Sequence, residues 1–194
     1  AISGIPDVNG DGRGDFVVGA RNENPGAALN NEGRAYVVDG FTGAVIHTLV
    51  SPTPKETGIF GISVGAVPDV TGDGVWEVAV GASNENGATG AFIRSLRSGN
   101  ESEFGRFGSA VAGIGDVNGD GFGDVLVGAS GEAPGGFASA GRAYLLSGAN
   151  GAVLRTLQSP NAATSGVFGS SLAPVPDVTG DGVPEILIGA SREI

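Results

Sequence analysis

The chain has 194 residues, 37 of them glycine and 10 proline, with no cysteine and a formal net charge of −11. Glycine at that density penalises helix interiors and favours tight turns between short strands. The acidic balance speaks against nucleic acid, whose phosphates want Lys and Arg, disulfides are excluded, and without a run of 18 apolar residues no membrane insertion is expected.

The chain starts at Ala1 without a methionine or a visible signal peptide, which reads as a processed product or an excised piece. Four segments then line up without gaps: GIPDVNGDGRGDFVVGA from Gly4, AVPDVTGDGVWEVAVGA from Ala66, GIGDVNGDGFGDVLVGA from Gly113 and PVPDVTGDGVPEILIGA from Pro174. Their leading aspartates, Asp7, Asp69, Asp116 and Asp177, are 62, 47 and 61 residues apart. Such periods signal a repeat architecture with one supersecondary unit per repeat. The first and third copies carry Asn and a final Asp, the second and fourth Thr and a final Glu, so the larger unit is a pair of repeats of about 108 residues.

The repeats are expected at approximately 1–50, 59–98, 106–157 and 167–194, within a single region spanning 1–194. The first begins late, at AISGI. The third predicts four short strands: Phe107 to Gly113, Asp124 to Ser130, Gly141 to Ser147 and Ala152 to Leu157, separated by glycine-rich turns. The second is 14 residues shorter between its second and fourth strands, so it is expected to be three-stranded or distorted. The fourth stops after its second strand. Four short antiparallel strands per repeat is the pattern of a β-propeller blade, and one blade cannot bury both faces, so blades must stack. The fold class expected is all-β, a propeller of about 3.5 blades, with sandwich and β-solenoid as the competing readings. A ring would be closed by further sequence or by a homo-oligomer.

Twelve of the 21 acidic residues lie in the four aligned loops, and the remaining nine balance the chain's ten bases. Each loop reads D-x-[NT]-G-D-G-x-x-[DE]. Side-chain oxygens stand at positions 1, 3, 5 and 9: Asp7, Asn9, Asp11, Asp15; Asp69, Thr71, Asp73, Glu77; Asp116, Asn118, Asp120, Asp124; and Asp177, Thr179, Asp181, Glu185. Alternating oxygens around a glycine turn suit a hard cation with six to eight ligands, and position 7 is expected to add its backbone carbonyl, here Arg13, Val75, Phe122 and Val183. Gly12, Gly74, Gly121 and Gly182 follow position 5, where a Cβ would hinder the sharp turn. The lack of soft ligands disfavours zinc and copper, and an all-protein oxygen cage favours calcium over magnesium. Four Ca2+ sites are therefore expected. An EF-hand is excluded because the loop closes at position 9 and runs into strand sequence. The bland alternative is a set of Asx turns without metal, but three carboxylates in each of four loops would then repel one another.

With a dissociation constant of about 0.1 mM and about 1 mM calcium, each site would add roughly 1.4 kcal/mol, or about 6 kcal/mol for four. That is comparable with the whole stability of a typical domain. The calcium is expected to be structural, and since resting cytosolic calcium would leave such sites empty, the expected address is extracellular.

The FG before the loop at Phe60-Gly61, Phe107-Gly108 and Phe168-Gly169, the DxNGDGxxD core and the apolar strand ending in GA together resemble the FG-GAP repeat of integrin α-subunit propellers and their bacterial relatives. The first repeat lacks the FG because the chain begins too late to include that strand. The family's frequent GAP is replaced by Gly19-Ala20-Arg21 and elsewhere by GAS. The resemblance implies calcium loops between the first and second strands of each blade and ligand binding, if any, on the opposite face. That face would comprise residues 21–33, 83–90 and 130–141 together with 51–59, 97–106 and 158–167. It further implies adhesion, protein binding or carbohydrate binding, or an accessory role beside a secreted enzyme, and no catalysis within the module itself.

Other signals carry less. Arg13-Gly14-Asp15 spells RGD, but its Asp is the ninth-position ligand and should face the metal. Asn100-Glu101-Ser102 is a glycosylation sequon that matters only in a eukaryotic secretory host. His47, the only histidine, is read as structural, leaving a hydrolase little to work with. Tyr36, Tyr144, Phe60, Phe107 and Phe168 recur at equivalent places and mark blade packing. Trp76, beside the second loop, is a candidate sugar-stacking residue.

Overall fold

The computed structural model describes residues 1–24, 30–84, 96, 100 and 104–193. Its strands are β1 (Ile2–Ile5), β2 (Asp15–Ala20), β3 (Arg34–Val38), β4 (Val45–Leu49), β5 (Ser63–Val67), β6 (Glu77–Gly81), β7 (Phe107–Ile114), β8 (Asp124–Ala129), β9 (Arg142–Leu146), β10 (Val153–Leu157), β11 (Phe168–Val175) and β12 (Glu185–Ala190). Among the described residues the helical content is one 3-10 turn at Pro134–Gly136, and no helix is long and apolar enough to cross a membrane.

The strands pair antiparallel with their sequence neighbours. Among the described residues they make two four-stranded sheets, β1-β2-β3-β4 and β7-β8-β9-β10, and two two-stranded sheets, β5-β6 and β11-β12. Each sheet is a propeller blade or the inner part of one. Inner strands β1, β5, β7 and β11 pack in that order, so the blades stand side by side along the chain. Local sequence accounts for the elements: β-branched and aliphatic runs such as Val125-Leu126-Val127 fill strands, and glycines at positive φ turn the chain between them.

The first strand of repeat one is present after all, because Ile2–Ile5 supplies its second half, in register from Ile2 opposite Val18 to Ile5 opposite Asp15; only the FG half is missing. The expected loss of a strand from the second repeat falls on 85–95 and 97–99, outside the described residues.

The hydrophobic core is divided among the blade interfaces. Ile5, Val17 and Ala35 meet Phe60 and Val64 between the first and second blades. Val67 meets Val125, Val127 and Tyr144 between the second and third. Ile114, Leu126 and Leu145 meet Leu172 and Ile186 between the third and fourth. The FG dipeptide works at these interfaces. Its glycine, Gly61, Gly108 or Gly169, holds φ between 81° and 86°. In β7 and β11 it breaks the ladder register, as expected of a bulge. Its carbonyl oxygen then lies against the GA glycine of the preceding blade: a Cβ on Gly19, Gly81 or Gly128 would come within 2.0–2.1 Å of Gly61, Gly108 or Gly169 oxygen respectively.

Candidate metal-binding loops

The four acidic loops join β1 to β2, β5 to β6, β7 to β8 and β11 to β12, all at the same end of their blades. They share one wiring. The leading aspartate is anchored by backbone amides: Asp7 Oδ2 accepts from Gly12 N at 2.7 Å and Oδ1 from Gly10 N at 2.7 Å. Asp69, Asp116 and Asp177 repeat both bonds with their own glycines. These donors hold all four carboxyls below the usual aspartate range, the amides of Gly12, Gly74, Gly121 and Gly182 being the strongest cause. The position-5 aspartate in turn accepts from the position-7 amide, as Asp11 does from Arg13 and Asp181 from Val183.

Position 9 separates the loops into two kinds. In the second and fourth, a glutamate crosses the loop. Glu77 accepts from Val70 N and Thr71 Oγ1, and Glu185 accepts from Val178 N and Thr179 N. Carboxylate oxygens of Asp69, Asp73 and Glu77 then lie within 4.8 Å of one another, as do those of Asp177, Asp181 and Glu185. In the first and third loops the shorter aspartate is buried and bridges two turns. Asp15 accepts from Val8 N and Gly40 N, and Asp124, fully buried, accepts from Val117 N and Gly148 N. Burial pushes the Asp124 carboxyl upward. Among the described residues, three carboxylates meet at that distance in the second and fourth loops only.

A family model for the FG-GAP repeat matches residues 1–38, 107–146 and 168–194, more than half of the chain. The chain belongs to the FG-GAP repeat family. The matched stretches cover the first, third and fourth blades, each with its acidic loop, of this FG-GAP chain.

The RGD tripeptide is not presented: the Arg13 guanidinium stacks 3.5 Å above the Phe41 ring, while Asp15 is 2% exposed. The sequon asparagine, Asn100, donates its side-chain amide to Tyr144 Oη at 3.3 Å. His47 lies exposed on β4. Trp76 is 40% exposed at the rim of the second loop.

Sequence reasoning passed over two sets of residues. Asp39, in the β3–β4 turn, accepts from Asn9 Nδ2 at 3.0 Å and ties that turn to the first loop; Ser147, after β9, donates its hydroxyl to Asp120 at 3.2 Å and ties the third loop in its turn. The second set is a glutamate four residues after each GA glycine. Tyr36 donates its hydroxyl to Glu23, and Tyr144 donates to Glu132 at 2.5 Å. Arg34 and Arg142 stand beside them as ion pairs. The recurrence of GRAY at Gly33 and Gly141 was the available signal.

Proposed function

We propose that this integrin-like FG-GAP module is a calcium-binding propeller of the extracellular space, with its calcium structural and its opposite face used for adhesion or ligand binding. The observation behind the calcium reading is the convergence in the second and fourth loops. Oxygens that share one calcium ion each lie about 2.3–2.6 Å from it, so they stand at most roughly 5 Å apart. The two carboxylate triads meet that limit at 4.8 Å. No basic side chain balances them: the ion pairs of the described residues join Arg34 to Glu23 and Arg142 to Glu132, away from every loop. The donor set is all oxygen, as a hard cation requires.

In this reading Asp69, Thr71, Asp73, Glu77 and the Val75 carbonyl hold one ion, and Asp177, Thr179, Asp181, Glu185 and the Val183 carbonyl a second. Asp7, Asn9, Asp11, Asp15 and the Arg13 carbonyl form the third site, and Asp116, Asn118, Asp120, Asp124 and the Phe122 carbonyl the fourth. The bound ion supplies charge neutralisation of the loop and nothing catalytic; propeller domains of this family are typically non-catalytic. The deciding experiment is a thermal melt in EGTA and across a calcium series, with magnesium as control. The midpoint should climb through millimolar calcium and hardly with magnesium. A midpoint indifferent to calcium would sink the reading.

A carbohydrate-binding role has one observation in its favour, the exposed Trp76 ring. Soluble glycans should then protect its fluorescence from quenching, and unchanged quenching would remove that role.

A further inference from the structure

The first and third acidic loops carry a dipeptide open to chemical change without an enzyme, Asn9-Gly10 and Asn118-Gly119. Glycine has no Cβ to hinder its amide nitrogen, which can attack the preceding side chain. Gly10 N would bond to Asn9 Cγ and give up its proton, and the side-chain nitrogen would leave with that proton as ammonia. The five-membered imide left behind adds one water at either carbonyl, yielding aspartate or isoaspartate. The second and fourth loops have Thr71-Gly72 and Thr179-Gly180 at this place. The glycines themselves are fixed by the turn, since Gly10 holds φ 83° and Gly119 φ 78°.

Both partners of the reaction are tied down. The attacking nitrogen is held by the leading aspartate: Gly10 N donates to Asp7 Oδ1 at 2.7 Å and Gly119 N to Asp116 Oδ1 at 2.7 Å. Stripping that proton would leave an amide anion against a carboxylate, and like charges so close repel. The side chain under attack is held as well. Asn9 Oδ1 accepts from Asp11 N and its Nδ2 donates to Asp39. Asn118 Oδ1 accepts from Asp120 N and its Nδ2 donates to Asp120 Oδ2. Neither Cγ is therefore free to turn onto the glycine nitrogen. The other oxygen of each leading aspartate holds the amide of the neighbouring Asp-Gly pair: Gly12 N donates to Asp7 Oδ2 and Gly121 N to Asp116 Oδ2, each at 2.7 Å.

We propose that Asn9 and Asn118 are latent sites of spontaneous deamidation, and that Asp7 and Asp116 suppress the reaction by holding the glycine amides. This role needs no bound ion and stands apart from the calcium reading. Once the hold is lost, position 3 becomes a fourth carboxylate, or an isoaspartate that lengthens the backbone by one carbon and disrupts the loop. Threonine at position 3 gives the second and fourth loops no amide to lose.

The test incubates the whole chain in EGTA at mildly alkaline pH and follows Asn-to-Asp conversion at each position by peptide mass spectrometry. A synthetic peptide of residues 4–15 is the unfolded reference; its Asp-Val-Asn-Gly-Asp-Gly core is shared by both loops. The folded chain should keep Asn9 and Asn118 at least about tenfold longer than the peptide keeps its asparagine, the scale set by a hydrogen bond to a charged acceptor. Asp7→Ala should speed conversion at Asn9 and leave Asn118 unchanged, and Asp116→Ala should do the reverse. Each variant carries its own control for folding, because general unfolding would release both asparagines together. Conversion in the folded parent as fast as in the peptide overturns the proposal, and that comparison needs no variant. So does an Asp7→Ala chain that converts Asn9 no faster than the parent does, or no faster than its own Asn118.

Discussion

Gly128 in β8 lies against the carbonyl oxygen of Gly169 in the next blade, so close that a Cβ would stand 2.0 Å from it. The atom met is backbone on a second sheet, so it cannot swing aside. Gly128→Ala should therefore part the third and fourth blades. The loss should reach or exceed the roughly 1–3 kcal/mol typical of overpacking, read as a lower midpoint in urea. An alanine at Gly4, which has open space around its Cβ position, is the control.

Asp124 joins its own loop to the β9–β10 turn through two backbone amides, Val117 N at 3.0 Å and Gly148 N at 3.1 Å. An asparagine has one acceptor oxygen, so Asp124→Asn leaves one buried N–H facing an NH2 group. In EGTA, with metal out of the comparison, the variant should lose about 1–3 kcal/mol. Chemical denaturation would reveal it, and stability equal to the parent would show that the second bond contributes nothing.

Acid should destabilise the calcium-free chain. The carboxyls of Asp7, Asp69, Asp116 and Asp177 titrate below the ordinary value of 3.8 when folded, chiefly because of the glycine amides at position 6. Their contribution is present above pH 3.8 and is lost as the pH falls through the lowered folded values. Asp124 has the opposite sign: burial raises it, so its protonation on acidification favours the folded state. Four groups outweigh one, and the melting midpoint in EGTA should drop as pH falls below about 4. Asp69→Asn should flatten that slope.

Thr57 is exposed at φ 58° in the loop between the first two blades. A β-branched residue there is strained by about 1–2 kcal/mol, while glycine costs about 0.4–1 kcal/mol of unfolded-state entropy. Thr57→Gly should raise stability by a few tenths of a kcal/mol to about 1 kcal/mol, seen as a higher melting midpoint. A lower midpoint would mean that the threonine side chain makes a contact worth more than the strain.

The strands were legible because their signals are local. Glycine punctuation and alternating apolar residues place the four strands of the third repeat within a residue of β7, β8, β9 and β10. The acidic loops were legible for the same reason, since nine consecutive residues hold the anchoring of Asp7 and Asp11 by backbone amides. Contacts between distant segments were not. Nothing in FG or GA alone says that Gly61 will lie on Gly19. Nor could the difference between Asp and Glu at position 9 be converted into geometry beforehand. The Gly148 amide that draws Asp124 inward comes from 24 residues away, whereas Glu77 finds its partners within its own loop.

The glycine joint between blades is made by main-chain atoms and an absent side chain, so it carries no code for one particular neighbour. Any repeat that keeps its two glycines keeps this joint, while the side-chain clusters on either side of it differ from interface to interface. Duplicating a whole repeat, or a pair, would lengthen the array while leaving every existing joint as it was.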